Sequence, residues 1–297
     1  MNTAKLLQQT EHHILITQQR FHLKDSKSKF DGSFDENDYY GIETANGVIG
    51  LANFSRESGI TPVFIELYDS DPGIIDVNDY DGVLEASLAI TSGKIYLENG
   101  DGTDRSRKIE IPIGNYRVRT YFANELTCIY QETQGANHAR FVFFPEKAPT
   151  PIKILKDKEN GGDFPDKKYK GNRSKNELIA LLKSPIISYR CLATVALLQL
   201  GQLDAVKSQL IDAPLSVKRI FASSIWFAGD SAVNELNELA KNRDNDIRLR
   251  VVQSSGALKN AAMKDLLNKL SKSKNEQISS AAELALEDID TQSILNN

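Results

Sequence analysis

Pro185-Ile-Ile-Ser-Tyr-Arg-Cys-Leu-Ala-Thr-Val-Ala-Leu-Leu-Gln-Leu200 is the stretch on which the fold turns. Proline is tolerated where a helix opens, because the first turn has no use for the N–H it lacks. Cys191, Leu192, Val195 and Leu198 then recur at the spacing of one helical face, with Leu200 at the end. The rhythm returns three times. A β-branched or aromatic residue followed by a polar one marks a second helix at Tyr189-Arg190, Val217-Lys218, Ile247-Arg248 and Ile278-Ser279, at offsets of 28, 30 and 31 residues. Pro214 precedes Val217, Ile220, Phe221 and Ile225 as Pro185 does one repeat earlier, and Leu178, Ile179, Leu181 and Leu182 form the first apolar stripe. In the last two repeats Asn245-Asp246 and Asn275-Glu276 stand near the equivalent turn, with asparagine the expected N-cap. Self-similarity at this period predicts a helical solenoid of about four helix pairs over residues 176–297, each burying its apolar face only by stacking on its neighbours. Such an architecture offers an extended surface, so the chain reads first as a binder.

Before residue 145 the period changes from helical to alternating. Ile14–Phe21, Val63–Tyr68, Val83–Ile90, Lys94–Glu98 and Arg140–Phe144 read as half-buried strands. Lys108-Ile-Glu-Ile-Pro-Ile-Gly-Asn-Tyr-Arg-Val-Arg-Thr-Tyr-Phe122 reads as a hairpin. Ile109, Ile111 and Ile113 would face one way, Gly114-Asn115 would turn with a positive φ, and Tyr116, Val118 and Thr120 would alternate on the return. Pro112 is expected facing solvent or at a bulge. Eight to ten short strands predict an all-β domain over 1–145, an antiparallel sandwich or barrel. Residues 146–175, with Gly161-Gly162 and the run Lys167, Lys168, Lys170, Arg173 and Lys175, read as a linker.

At 297 residues, with 40% hydrophobic and 26% charged content, the chain has material for two folded domains. Cys128 and Cys191 fall in different predicted domains and make neither a metal spacing nor a disulfide framework, which fits a reducing cytoplasm. The opening Met1-Asn-Thr-Ala-Lys-Leu-Leu-Gln-Gln-Thr10 has no apolar h-region, and no run is long and apolar enough for a membrane helix. A cytoplasmic location is the expectation. The net charge of −4 is unevenly spread. Asp25–Glu110 holds 18 Asp/Glu against 7 Lys/Arg, whereas Glu146–Asn297 holds 23 Lys/Arg against 19 Asp/Glu. An acidic first half would repel phosphates and suits a partner with a positive surface, unless its acids merely keep the domain soluble.

The search for chemistry returns little, and neither a catalytic residue nor a cofactor is expected. His12 and His22 bracket a predicted strand, but nothing completes a ligand set at recognisable spacing. There is no phosphate-binding loop, nucleophile elbow or dinucleotide fingerprint, and Gly100-Asp-Gly102-Thr precedes a strand rather than a helix. Asp69-Ser-Asp71-Pro-Gly-Ile-Ile-Asp76-Val-Asn-Asp79-Tyr-Asp81 has the look of a calcium loop, yet lacks a fifth-position ligand and the terminal glutamate. Asp69, Asp71, Asp76, Asp79 and Asp81 are therefore read as a loop that is either simply solvated or offered to a basic partner. Lys218-Arg219 and Arg248-Leu-Arg250 fall near the starts of successive second helices, so a basic ladder on one face is expected, either solvated or a groove for an acidic segment or phosphate backbone. Trp226 is expected mid-helix, in the core or between repeats.

The helical pattern resembles short HEAT-like repeats, of the kind also seen in bilin lyases, over about residues 176–290. That resemblance speaks to architecture. In the first half Gly41-Ile-Glu-Thr-Ala-Asn-Gly-Val-Ile-Gly-Leu-Ala52, Val63–Tyr68, the strand near Ala86–Ile90, and Ile109-Glu-Ile-Pro-Ile-Gly-Asn-Tyr-Arg-Val118 resemble, in order and spacing, the competence protein J family over about residues 11–145. The resemblance implies a small β-sandwich that binds and inhibits a cognate nuclease. The resulting expectation is a non-enzymatic inhibitor of immunity or antitoxin type that covers the active site of a toxic enzyme. A HEAT-type scaffold, nucleic-acid-binding or lyase-like protein is the second reading.

Overall fold

The computed structural model describes residues 4–16, 21–29, 42–45, 47–51, 59–74, 77–100, 102–123, 137–156 and 171–295. They divide between a β unit and a helical unit. Cys128, Asp76, Gly161-Gly162, Lys167, Lys168 and Lys170 lie outside the described residues.

The β unit has two sheets. Strands β1 (Leu6–Ile16), β5 (Gly59–Tyr68), β10 (His138–Pro145), β9 (Gly114–Ala123), β6 (Gly82–Ile90) and β11 (Lys153–Lys156) follow one another across a six-stranded sheet. Strands β3 (Ile42–Ala45), β4 (Val48–Leu51), β2 (Phe21–Asp25), β7 (Lys94–Asn99) and β8 (Ile109–Glu110) make a five-stranded one. Alternate residues of both sheets meet in one core. Val63, Ile65, Leu84, Ala86, Val118, Phe141 and Phe143 come from the larger sheet, and Phe21, Leu23, Ile49 and Leu97 from the smaller. Phe21 and Phe141 bridge the two edge-to-face at 5.8 Å.

Four expectations change. The predicted strand Ile14–Phe21 is two strands in different sheets, because Ile14 and Phe21 reach the core from opposite sides. The predicted hairpin is a corner. Ile109 pairs with Ile95 in the smaller sheet, while Gly114 pairs with Ile90 in the larger. Ile109 and Ile111 stay in the core and Ile113 turns out to solvent at 71% exposure. Gly114 begins β9 without a positive φ, and the corner is instead tied by the Tyr116 hydroxyl donating to the Pro112 carbonyl at 2.9 Å. Pro112, outside any strand, is exposed. The third change is one of direction. β10 runs parallel to β5, pairing Ala139 with Val63 and Phe143 with Leu67, so the larger sheet is mixed rather than antiparallel. The segment expected to be linker supplies β11, antiparallel to β6.

That parallel pair sets the path of the chain. β10 is antiparallel to β9, and β9 to β6, so β5 and β6 run the same way within one sheet. A strand can be followed by another in its own direction only if the connection travels back along the sheet. The return falls between β5 and β6, and residues 69–74 of it lie over the face opposite the core, where Arg119 holds Asp71 and Gly73. The same face carries buried charge. Glu66 and Arg140, 0% and 1% exposed, form a two-pronged pair at 2.7 and 2.9 Å, with the Tyr68 hydroxyl donating to Glu66 at 3.0 Å.

Asp25 is the second knot. Its carboxylate accepts from the backbone N–H groups of Lys27, Thr91 and Ser92 at 2.6–3.0 Å, and its own N–H donates to Gly47, whose φ of +77° closes the β3–β4 turn. Burial works to raise the Asp25 pKa, but the three N–H donors outweigh it and hold it below the usual carboxylate value.

The helical unit contains, among the described residues, α1 (Lys175–Leu181), α2 (Ile187–Gln199), α3 (Leu203–Lys207), α4 (Leu215–Ser224), α5 (Val233–Leu239), α6 (Asn245–Leu258), α7 (Lys264–Leu270) and α8 (Glu276–Leu295). The long helices pack in succession, α2 on α4, α4 on α6 and α6 on α8, and short helices flank them. Leu178, Leu197, Phe221, Val251, Leu267 and Ala282 share one core. A Cβ on Gly256 would meet that of Ala285 at 3.1 Å, so glycine there permits the close approach of α6 and α8. Ser174 and Glu177 form a reciprocal capping box on α1. Asp244, not Asn245, caps α6, since only Asp244 is one residue outside the helix and able to accept from Asp246 and Ile247. Asn275 accepts from Ile278 at the start of α8 as expected. Trp226 is buried against Phe227 at 4.1 Å, in a 3-10 segment after α4 rather than mid-helix, because Gly229 at φ +62° breaks the helical path. No helix among the described residues is long and apolar enough to cross a membrane.

Breaking the buried pair with Arg140→Met should cost about 3–5 kcal/mol by urea denaturation, because Glu66 is left as a buried charge, and adding Glu66→Leu should restore most of it. A depressed Asp25 pKa contributes stability that is complete above the unfolded value near pH 4 and is lost as pH falls through the lower folded value. Asp25→Asn should therefore lower the urea midpoint at pH 7, with the gap to the parent closing as the pH is taken towards 2.

Candidate functional site

The acidic segment read from the sequence is the crossover of the β unit, and its two ends differ. Asp69, exposed, accepts from the Lys5 N–H at 2.8 Å and the Ser70 hydroxyl at 3.0 Å, which together hold its carboxyl below the usual range. Asp71 accepts from the Gly73 N–H at 2.9 Å around Pro72, a turn that Asp-Pro-Gly favours and that Gly73 completes with φ +81°. Ile74 follows with 55% of its surface exposed. At the far end Asp79 is buried in a 3-10 turn and Asp81 is half-buried, its N–H bonded to the Phe122 carbonyl. Of the five candidates, Asp69 and Asp71 face solvent, Asp79 does not, and Asp76 is outside the described residues.

The turn is fastened from below. Arg119 on β9 donates to the Gly73 carbonyl at 2.6 Å and to Asp71 at 3.1 Å, while its Nε holds Glu85 of β6 at 2.6 Å. Burial acts to lower the Arg119 pKa, and the surrounding Tyr121, Glu85 and Asp71 outweigh it, so the guanidinium stays charged. Arg117 shares Glu85 at 3.2 Å and donates to the Thr150 and Pro151 carbonyls. The result is a turn whose two exposed carboxylates are held in place by hydrogen bonds.

Arg119, Glu85, Arg140 and Glu66 were missed in the sequence. Each is charged at an alternate position of an apolar strand, which normally signals a solvated face. What signal there was lay in three arginines, 117, 119 and 140, on predicted strands.

The basic ladder of the helical unit does not form as expected. Arg219 pairs with Asp244 at 3.1 Å and Asp246 at 2.8 Å, and Arg250, 4% exposed, pairs with Asp246 and donates to the Ser223 hydroxyl at 2.7 Å. Both are consumed in tying α4 to α6, because the acid-rich capping turn of α6 lies against Arg219 of the previous repeat and Arg250 of its own helix. Lys218 donates to the Ile211 carbonyl, and Arg248 is half-exposed among neutral groups. His12 lies in β1 beside Thr10 and buried His22 in β2 of the other sheet. Among the described residues no group of three His, Cys, Asp or Glu side chains is placed to hold a metal ion.

These features define a two-part protein, a two-sheet β unit with one mixed sheet followed by a helical region. No family model matches the chain, and no curated protein matches it. Two solved structures do, over the N-terminal β region. The crystal structure of ComJ, inhibitor of the DNA degrading activity of NucA, from Bacillus subtilis is 15% identical, with a TM-score of 0.34, over 48% of this chain and 96% of that one. The structure titled crocagin biosynthetic gene J is 16% identical, with a TM-score of 0.34, over 48% of this chain and all of the other.

Arg119→Met should release the turn. Amide hydrogen exchange at Gly73 and Ile74 should accelerate at least tenfold while exchange in β5 and β10 changes less, since the tether contributes locally.

Proposed function

We propose that this chain is a protein-binding inhibitor that sets its acidic crossover against a positively charged cleft on a partner enzyme. The observation that carries the reading is the fastened turn. Asp69 and Asp71 are exposed and pre-positioned by Lys5 and Arg119, so their charge can be met without ordering a loose loop. Ile74 beside them supplies an apolar anchor of the kind that gives an interface its affinity, while the acids give association rate. The surplus of acid from Asp25 to Glu110 supports the same partner chemistry. The sequence resemblance to the competence protein J family points to a nuclease as the target, a cleft built to hold phosphates being a cleft that welcomes carboxylates.

In this reading the β unit is a sandwich that inhibits without chemistry of its own, in the cytoplasm, as an immunity or antitoxin-type protein. The helical unit is a short HEAT-like solenoid, a reading supported by the α2–α4–α6–α8 succession and its period of about 30 residues.

Affinity capture from native lysate at low and moderate salt tests this. The expected catch is one stoichiometric protein with a nuclease or other hydrolase domain whose activity falls on adding the purified chain. Asp69→Asn with Asp71→Asn should slow association about tenfold at low salt, and less at high salt, without changing the fold. Recovery of nucleic acid alone, or association of the double variant at the parent rate, would sink the proposal.

A further inference from the structure

The arginines of the helical unit fall into two groups. Arg219 and Arg250 are neutralised by Asp244 and Asp246. Arg248, two residues before Arg250 on α6, has no carboxylate within ion-pair distance among the described residues. Its guanidinium makes only long bonds, 3.4 Å each, to the neutral Asn245 amide oxygen and Ser273 hydroxyl. Lys274, in the turn before α8, has no described carboxylate partner either. These two cations, with Asn245, Ser273 and Asn275, line an open depression of about 500 Å³ between the starts of α6 and α8. No acidic residue among the described ones lines it. Asp244 already answers the positive end of α6, so Arg248 and Lys274 are the charged groups that line the depression.

We propose that this depression binds a phosphate group carried on a small molecule. Two uncompensated cations match the charge of about −1.5 to −2 on a phosphomonoester at neutral pH, whereas a lone carboxylate would leave one unanswered. Arg248 offers a planar fork and Lys274 a mobile point charge, and the Ser273 hydroxyl and the two asparagine amides supply neutral donors from both sides. The depression is open to solvent and wider than a bare phosphate, which leaves space beside the phosphate for a sugar or nucleoside. The site lies in the helical unit and is independent of the acidic crossover, so either proposal can fail alone.

Titration calorimetry on the full chain at fixed low salt, with adenosine 5′-monophosphate, inorganic phosphate and adenosine as probes, decides the matter. The expected result is binding of the nucleotide, weaker binding of phosphate and none of adenosine. Arg248→Gln and Lys274→Gln should each weaken nucleotide binding about tenfold or more, the loss expected for a charged hydrogen bond. Lys274→Gln removes an exposed side chain with no partner among the described residues, so a folding defect does not account for its effect. Lys241→Gln, a surface cation already paired with Glu238, controls for net charge and should change nothing. Absence of binding at millimolar probe would overturn the proposal, as would equal binding by both the Arg248 and Lys274 variants. Tighter binding of single-stranded DNA, weakened as much by Arg190→Gln as by Arg248→Gln, would also overturn it, by placing the phosphates along the open helix face.

Discussion

Running β5 and β10 in the same direction obliges the chain to cross back over the larger sheet between β5 and β6, and the face it crosses cannot be solvated in the ordinary way. Side chains on that face lose water yet include Glu66, Glu85, Arg117, Arg119 and Arg140. Each buried charge then needs a partner of opposite sign with matching geometry. Glu66 takes Arg140, Glu85 takes both Arg117 and Arg119, and the surplus donors of the arginines are spent on carbonyls of the segments lying above. The position of the acidic turn is thus a by-product of charge balance beneath it. A sheet with all strands antiparallel would have needed neither the crossing nor the arginines.

The helical half was the more legible in sequence. Its repeat works through local spacing, and the offsets between the starts of α2, α4, α6 and α8 are those read from Tyr189, Val217, Ile247 and Ile278. The errors there were of one residue, as with Asp244 in place of Asn245, since several polar residues in a row each have the chemistry of a cap. In the β half the strands near Val63, Val83 and Lys94 were placed by alternation, but their partners were not. Ile109, Ile111 and Ile113 alternate as a hairpin strand would, and nothing local says that Glu110 ends a strand in one sheet and that Gly114 begins one in the other. Alternation reports which side of a strand is apolar. It is silent on which sheet the strand joins and on whether the polar side is wet.

The same limit governs the candidate sites. Lys218, Arg219, Arg248 and Arg250 look equivalent as letters, and only their neighbours across the repeat separate them. The Asp244-Asn-Asp246 turn reaches back to Arg219 and forward along its own helix to Arg250, and leaves Arg248 facing the Ser273 turn, where Asn275 and Gln277 stand in place of Asp244 and Asp246. Asp69 and Asp79 were likewise one run of acids in sequence, and the fold exposes one and buries the other.

The parallel pair also bears on how the chain is built. β5 meets β10 across about 75 residues of sequence, and the six-stranded sheet is not complete until β11 has been added at its edge. Pairings of that range form slowly, because the loop must close before the contacts reward it. The helical repeats contact their immediate successors, and such local contacts form quickly. Although it is made last, the C-terminal half should therefore reach its native packing while the β unit is still searching for its strand order, and it is the first half whose exposed edges would need protection during synthesis.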